Sequence, residues 1–434
     1  MKLELGEFPV DDVAAGAETS YNSGSLRVDV EELRNLLLED DRFAEVEITV
    51  ASPGMSLRVT QVIDCVEPRV RTAGDTDFPG MVGPPWTVGE GRTHCLKGVA
   101  VTEVAPPIPG EPTYWREALF DLGGSGSRYS PMAGVAHVVL HFRPSEKAAG
   151  PHASSRIENV FEGTPAAIGY NRAIRTAGLR AALYLAETVK DLEPDRVVVR
   201  EPARPTDDLP CVVYVFQLSR SYVYGEAATV AGPGALPTII HPNEILDGAV
   251  VNRSTLIAGI RDLTYLLQNH PVITELYRRD GHDLAFGGVV IYTQGDDTRS
   301  KERLTKYVAQ LTGECLHADA AVLTSLGAGH PTIDCMLVCQ ELERRHIATS
   351  LILPEIAQDP GDSGFVEFVR EADSIVSTGN QEEKVTLPAI DQVVGGATLV
   401  GLDLPSGGEL TIPLRYILGA TSNVGGHVIR GVGR

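Results

Sequence analysis

LAFGGVVIYTQGDDTRSKERLTKYVAQLTGECLHADAAVLTSLGAGHPTIDCMLVCQELERRHIATSLILP, residues 284–354, decides the fold class. LAFGGVVIYT (284–293), ADAAVLTSL (318–326) and HIATSLILP (346–354) are apolar runs of strand length. Between them, KERLTKYVAQL and TIDCMLVCQELERR place apolar residues at helical spacing. A further helix, GFVEFVREA, and a fourth strand, DSIVST (373–378), are expected next. Runs this apolar, alternating with helices, predict a parallel, doubly wound sheet with right-handed crossovers.

Upstream the pattern is more mixed. Residues 25–63 read as strand, helix, strand, and residues 64–135 as irregular β structure rich in Gly and Pro. AHVVLHF (136–142) is a strand, PSEKAAGPHAS (145–155) a linker, and GTPAAIGYNRAIRTAGLRAALYLAETVKDL (163–192) the longest helical pattern. VVVRE and CVVYVFQL (211–218) read as buried strands. The expectation is an α/β protein: an N-terminal mixed domain over 1–245 and a C-terminal doubly wound domain over 246–434.

Composition narrows the function. There are 37 Lys and Arg against 58 Asp and Glu, a net charge of −21, which argues against a nucleic-acid or anionic-membrane surface. No apolar run approaches the ~20 residues of a membrane span, and MKLELGEFPVDD lacks a signal-type apolar stretch, so a cytoplasmic location is expected. Six scattered cysteines do not form a disulfide framework. Cys335 and Cys339 share one helix face and are expected to be small buried hydrophobes.

In an open α/β sheet, ligands bind outside the carboxyl ends of the strands. QGDD (294–297), GAGHP (327–331) and STGN (377–380) occupy that position, which makes Gly329, His330 and Asn380 candidates. No GxGxxG or GxxxxGK[ST] motif is present, and the histidines form no metal motif. GEGRTHCLKG (89–98) packs Arg92, Thr93 and His94 between glycines. Arg92 could clamp a carboxylate and His94 could move a proton, or the loop could satisfy its own polar groups. Residues 241–273 read as a loop–strand–helix connector carrying Asn243, Glu244 and Asp247, then Ser254 and Thr255, then Tyr265, Gln268 and Asn269.

MKLELGEFPVDDV, ASPGMSLRVTQVIDCVEPRV, GEGRTHCLKGVAV, RAIRTAGLRAALYLAE, PNEILDGAVV, TYLLQNHPVITELYRRDGHDL and DSIVSTGNQEEKVTLPAIDQVVGG occur in that order. Together they resemble the proprotein of the alpha and beta subunits of component B of glycine, sarcosine and betaine reductases, with D-proline reductase more distant. The resemblance implies mid-chain cleavage at a Cys whose remnant becomes a pyruvoyl group, able to bind a substrate amine as an imine. It also implies hetero-oligomer formation with a thiol- or selenol-bearing partner subunit, and a small amine or ammonium carboxylate as substrate.

Counted back from TYLLQNHPVI, the cleavage position holds Thr255, preceded by Ser254. Reaction at Thr255 would give a 2-oxobutanoyl group, and at Ser254 a pyruvoyl group in a shifted register. The expectation is an uncut chain with no self-derived cofactor. The competing expectation is a structural subunit that keeps the fold and only binds the partner.

Overall fold

The computed structural model describes residues 1–73, 88–148, 163–203, 208–218, 222–224, 228–231, 235–252, 257–327, 329–359, 364–425 and 430–432. A seven-stranded sheet runs in the order Thr238–Ile240, Ala285–Thr293, Cys211–Leu218, Ala320–Thr324, Ala348–Glu355, Ile375–Asn380, Arg430–Val432. Its five inner strands are parallel and its two edge strands antiparallel. Alternate side chains of Cys211–Leu218 face opposite ways, as a strand requires. Val213 and Val215 meet helices Thr298–Gln310 and His330–Arg344 through Val308, Ala309, Met336 and Leu342. Tyr214 and Phe216 meet Leu263, Leu267, Ile273 and Leu276, with Leu3 and Leu5 from the N-terminal half. Covering both faces explains why these runs carry so few polar residues.

Cys335 and Cys339 lie fully buried among these side chains, and burial pushes both thiols up, that of Cys339 to about 11. They pack as small hydrophobes. No group of three metal-ligating side chains occurs among the described residues, and no described helix is long and apolar enough to cross a membrane.

The N-terminal half holds two four-stranded sheets. One contains Leu3–Pro9 and Gly91–Lys97, the other Val62–Val66 and Val99–Val104. Helix Pro165–Ala186, started by Thr164 whose hydroxyl accepts from the Ala167 N–H, lies across them. Ala173, Ala177, Gly178, Ala181 and Ala182 line its buried face, and such small side chains let a helix approach the strands closely.

Several expectations need correction. GFVEFVREA is not helical: a nine-residue helix is marginal alone, and Phe365 instead docks on the helix-covered side of the sheet, with Phe368 and Val369 packed beside it. VVVRE is the exposed edge of its sheet, with Val197 40% and Val199 48% accessible. Asn243, Glu244 and Asp247 sit in a short helix, Pro242–Asp247, rather than a loop. His241 caps that helix with a reciprocal capping box to Glu244, and Pro242 starts it. The linker expected at 145–155 is described only to residue 148.

Sheets also cross residue 245. Cys211–Leu218 lies inside the seven-stranded sheet, and Gln392–Val394 pairs in parallel with Leu57–Thr60. Arg58 ties the same two regions, forking onto Asp121 while donating to the carbonyls of Pro388, Ser406 and Gly408.

Candidate active site

Strand Val250–Asn252 pairs antiparallel with Tyr222–Tyr224, which starts four residues beyond the end of Cys211–Leu218. The chain thus reaches residue 252 near the carboxyl end of the parallel sheet, where open α/β sheets place ligands. Ser254 and Thr255 lie outside the described residues, but both flanks of 253–256 are held.

On the upstream flank, Asn252 is fully buried. Its N–H donates to Thr264 Oγ1 at 3.1 Å, and its carbonyl accepts from Arg175 Nη1. Both partners converge on Asp64, which accepts from Thr264 N (2.9 Å), Thr264 Oγ1 (2.5 Å), Cys65 N (2.9 Å) and Arg175 Nη1 (3.2 Å). On the downstream flank, Ala258 and Gly259 carbonyls accept from Gly419 N (2.9 Å) and Thr421 N (2.8 Å). Thr378 Oγ1 donates to the Thr421 carbonyl at 2.9 Å, which links this flank to the end of strand Ile375–Asn380. Asn423 is fully buried nearby in sequence, and neither its amide oxygen nor its nitrogen has a partner among the described residues.

Electrostatics single out one more acid. Glu103 is fully buried in strand Val99–Val104, and neither carboxyl oxygen has a hydrogen-bond partner among the described residues. Burial, and then the charge of Asp64, push Glu103 well above the ordinary 4.5, against the opposing pull of Arg175 and Arg116. Burial also raises Asp64, but Arg175 and the Thr264 and Cys65 donors oppose it. Asp64 therefore keeps the charge and Glu103 the proton. Arg261 joins the cluster from the 257–264 segment, donating to the carbonyls of Val62 and Ile63. Burial, then Arg175, lower Arg261 to about 9, which leaves it cationic at neutral pH.

Two predictions follow from this packing. A Cβ on Gly178 would lie 2.0 Å from Glu103 Oε1. Gly→Ala inside a helix ordinarily stabilises by about 0.5–1 kcal/mol, but Gly178→Ala should instead cost about 1–3 kcal/mol through overpacking. A melting temperature above wild type would contradict this. Because the folded pKa of Glu103 is raised, its proton favours the native state most below the ordinary value of 4.5. That contribution is lost as pH rises toward the folded pKa. Glu103→Gln should abolish this slope, so the variant gains stability over wild type in urea unfolding as pH rises above the ordinary value of 4.5. Parallel curves for the two proteins would contradict it.

The other anticipated residues divide into groups. Thr93 and Asp247 come together: Thr93 Oγ1 donates to Asp247 Oδ1 at 2.7 Å, while Asp247 Oδ2 accepts from Arg71 Nη1 and Gly89 N. Gln268 and Asn269 brace Glu67, Gln268 through its backbone and Asn269 through its carboxylate. Burial would raise Glu67, but Lys97 and Arg69 hold it below the ordinary range. Tyr265 is half-buried, its phenol raised by burial, and its carbonyl accepts from Asn269. Asn243 ties the Met1 and Arg200 carbonyls to the Tyr277 hydroxyl.

Arg92 and His94 do not face one pocket. Arg92 forks onto Glu4 (Nε 3.0 Å, Nη2 2.7 Å) at a partly exposed site. His94 is buried, with Nδ1 2.8 Å from the Val189 carbonyl and its ring against Phe8, and burial lowers its pKa. Gly329 precedes helix His330–Arg344 with φ +58°, and His330 is exposed beside the buried Lys301–Asp334 ion pair. Asn380 is occupied by Ala357 and Glu382 backbone groups.

Asp64, Glu103, Arg175 and Arg261 were not among the residues singled out from sequence. The signal was there: each is a charge inside an apolar stretch, as in VIDCV, VAVTEV and NRAIRTAGLRAAL.

A family model described as glycine/sarcosine/betaine reductase component B subunits matches residues 1–416. The chain is 30% identical over 448 residues to the glycine reductase complex component B subunits alpha and beta of Acetoanaerobium sticklandii, covering 98% of both. It is 32% identical over 441 residues to the betaine reductase complex component B subunit alpha of Peptoclostridium acidaminophilum, covering 99% of this chain and 95% of that one. The sarcosine reductase complex component B subunit alpha of the same organism is 33% identical over 409 residues, covering 91% and 89%. No solved structure matches.

Proposed function

This chain belongs to the family of glycine/sarcosine/betaine reductase component B subunits, and on that premise we propose that it is the substrate-binding subunit of a two-component reductive-cleavage enzyme. It holds a small amine or ammonium carboxylate while a thiol- or selenol-bearing partner subunit attacks the carbon that carries nitrogen. The new carbon–sulfur or carbon–selenium bond replaces the C–N bond, and the amine departs with the electron pair. The observation that carries the reading is the buried Asp64–Arg175–Thr264 cluster fastened to Asn252, three residues before Thr255.

Thr255 directs the choice of substrate. Without a self-derived ketone there is no imine to weaken the bond of a primary amine. A quaternary ammonium needs none, because its nitrogen leaves as a neutral amine and takes no proton. Betaine-like substrates are therefore favoured over glycine. Co-expression with the thiol-bearing partner should give one shared peak in size-exclusion chromatography. Separate peaks, with full activity from either protein alone, would refute the reading.

A further inference from the structure

We propose that the Nε–Nη2 edge of Arg175, with the carboxyl of Glu103, is a buried subsite for the carboxylate of a small ammonium or amino acid. The class of ligand rests on the proposed function; the geometry does not. Arg175 uses only Nη1, toward Asp64 Oδ2 and the Asn252 carbonyl. Nε and Nη2 have no partner among the described residues, although Arg175 is 97% buried by its 3% accessibility. That edge of a guanidinium is the one that matches a carboxylate with two parallel bonds. The same molecule uses it so elsewhere. Arg58 Nε and Nη2 reach the two oxygens of Asp121 at 2.6 and 3.0 Å, and Arg278 Nε and Nη2 reach the two oxygens of Glu275 at 2.8 and 2.6 Å.

Charge points to an anion. Arg116 pairs with Glu111 at 2.6 Å and Arg175 with Asp64 at 3.2 Å, and Arg175 still has its Nε–Nη2 edge to offer. Glu103 stays neutral for the reasons given above, so it sets no competing charge against a carboxylate at Arg175. A neutral carboxyl is also a donor, so Glu103 O–H can point at a carboxylate that Arg175 holds. Gly178 leaves the space in which the Glu103 carboxyl sits, since any side chain there would meet it.

Calorimetric titration of the purified chain with betaine, sodium acetate and choline separates the possibilities. Betaine and acetate should bind with one site per chain and choline should not, a comparison that needs no variant. Arg175→Lys keeps the charge beside Asp64 but loses the fork, and should weaken betaine at least about tenfold with melting close to wild type. Glu103→Gln keeps a donor and should stay within about threefold. Equal binding of choline, absence of betaine and acetate binding, or unchanged affinity in Arg175→Lys would each overturn the subsite. So would an affinity gain in Glu103→Gln, since it would mean that Glu103 itself occupies Arg175. Titration requires neither partner nor turnover, so the subsite and the reductive-cleavage reading can fail separately.

Discussion

Replacing Asp64 by Ala should lower the unfolding free energy by about 3–5 kcal/mol, as removal of one partner from a buried ion pair typically does. The change leaves Arg175 charged and buried, and strands the Thr264 N–H, its hydroxyl and the Cys65 N–H at once. Asp64→Asn keeps an acceptor of the same shape but loses the charge, and should cost less, about 1–3 kcal/mol. Urea unfolding of the three proteins reads both numbers. A cost below about 1 kcal/mol for Asp64→Ala would mean that the cluster is not the clamp on Asn252 described above.

Thr255→Cys should convert an uncut chain into a cut one. The wild-type protein is expected to give one mass near 46.5 kDa in intact mass spectrometry. A thiol is a better nucleophile than a hydroxyl toward the preceding carbonyl; the thioester it forms can eliminate as a thiocarboxylate to leave an enamine on the downstream fragment, which water hydrolyses to a ketone with release of ammonia. Asn252 and Ala258–Gly259 are held by hydrogen bonds on either side of that position. The variant should therefore show two fragments joined at residues 254–255, the second blocked to Edman degradation. Two fragments in the wild type would overturn the premise that Thr255 ended processing. An intact variant would show that more than the nucleophile has changed.

The parallel sheet was readable because burial on both faces suppresses polar residues, and strands 284–293, 318–326 and 346–354 show this directly. The segment around Phe365 misled because a short amphipathic spacing is shared by helices and by chain that merely docks two aromatic rings. Asn243, Asp247, Gln268 and Asn269 are buried or half-buried braces, but they hold Arg200, Thr93, Gly89 and Glu67 rather than the flanks of 253–256. The buried cluster was harder to see. Asp64, Glu103, Arg175 and Thr264 are spread over 200 positions and meet only when helix Pro165–Ala186 crosses two strands. Arg92 shows the converse: a glycine-flanked Arg looks like a ligand clamp until its carboxylate proves to be Glu4, 88 residues away.

The central claim is that this chain holds the substrate whose C–N bond a partner thiol or selenol breaks. Its most direct measurement is amine release from betaine, with glycine and sarcosine alongside, by the chain mixed with the thiol-bearing subunit and a dithiol reductant. The account predicts trimethylamine release only when both proteins are present, with Arg175→Lys lowering kcat/KM at least about tenfold. Equal release by the partner alone, or none from any of the three substrates with an intact partner thiol, would contradict it.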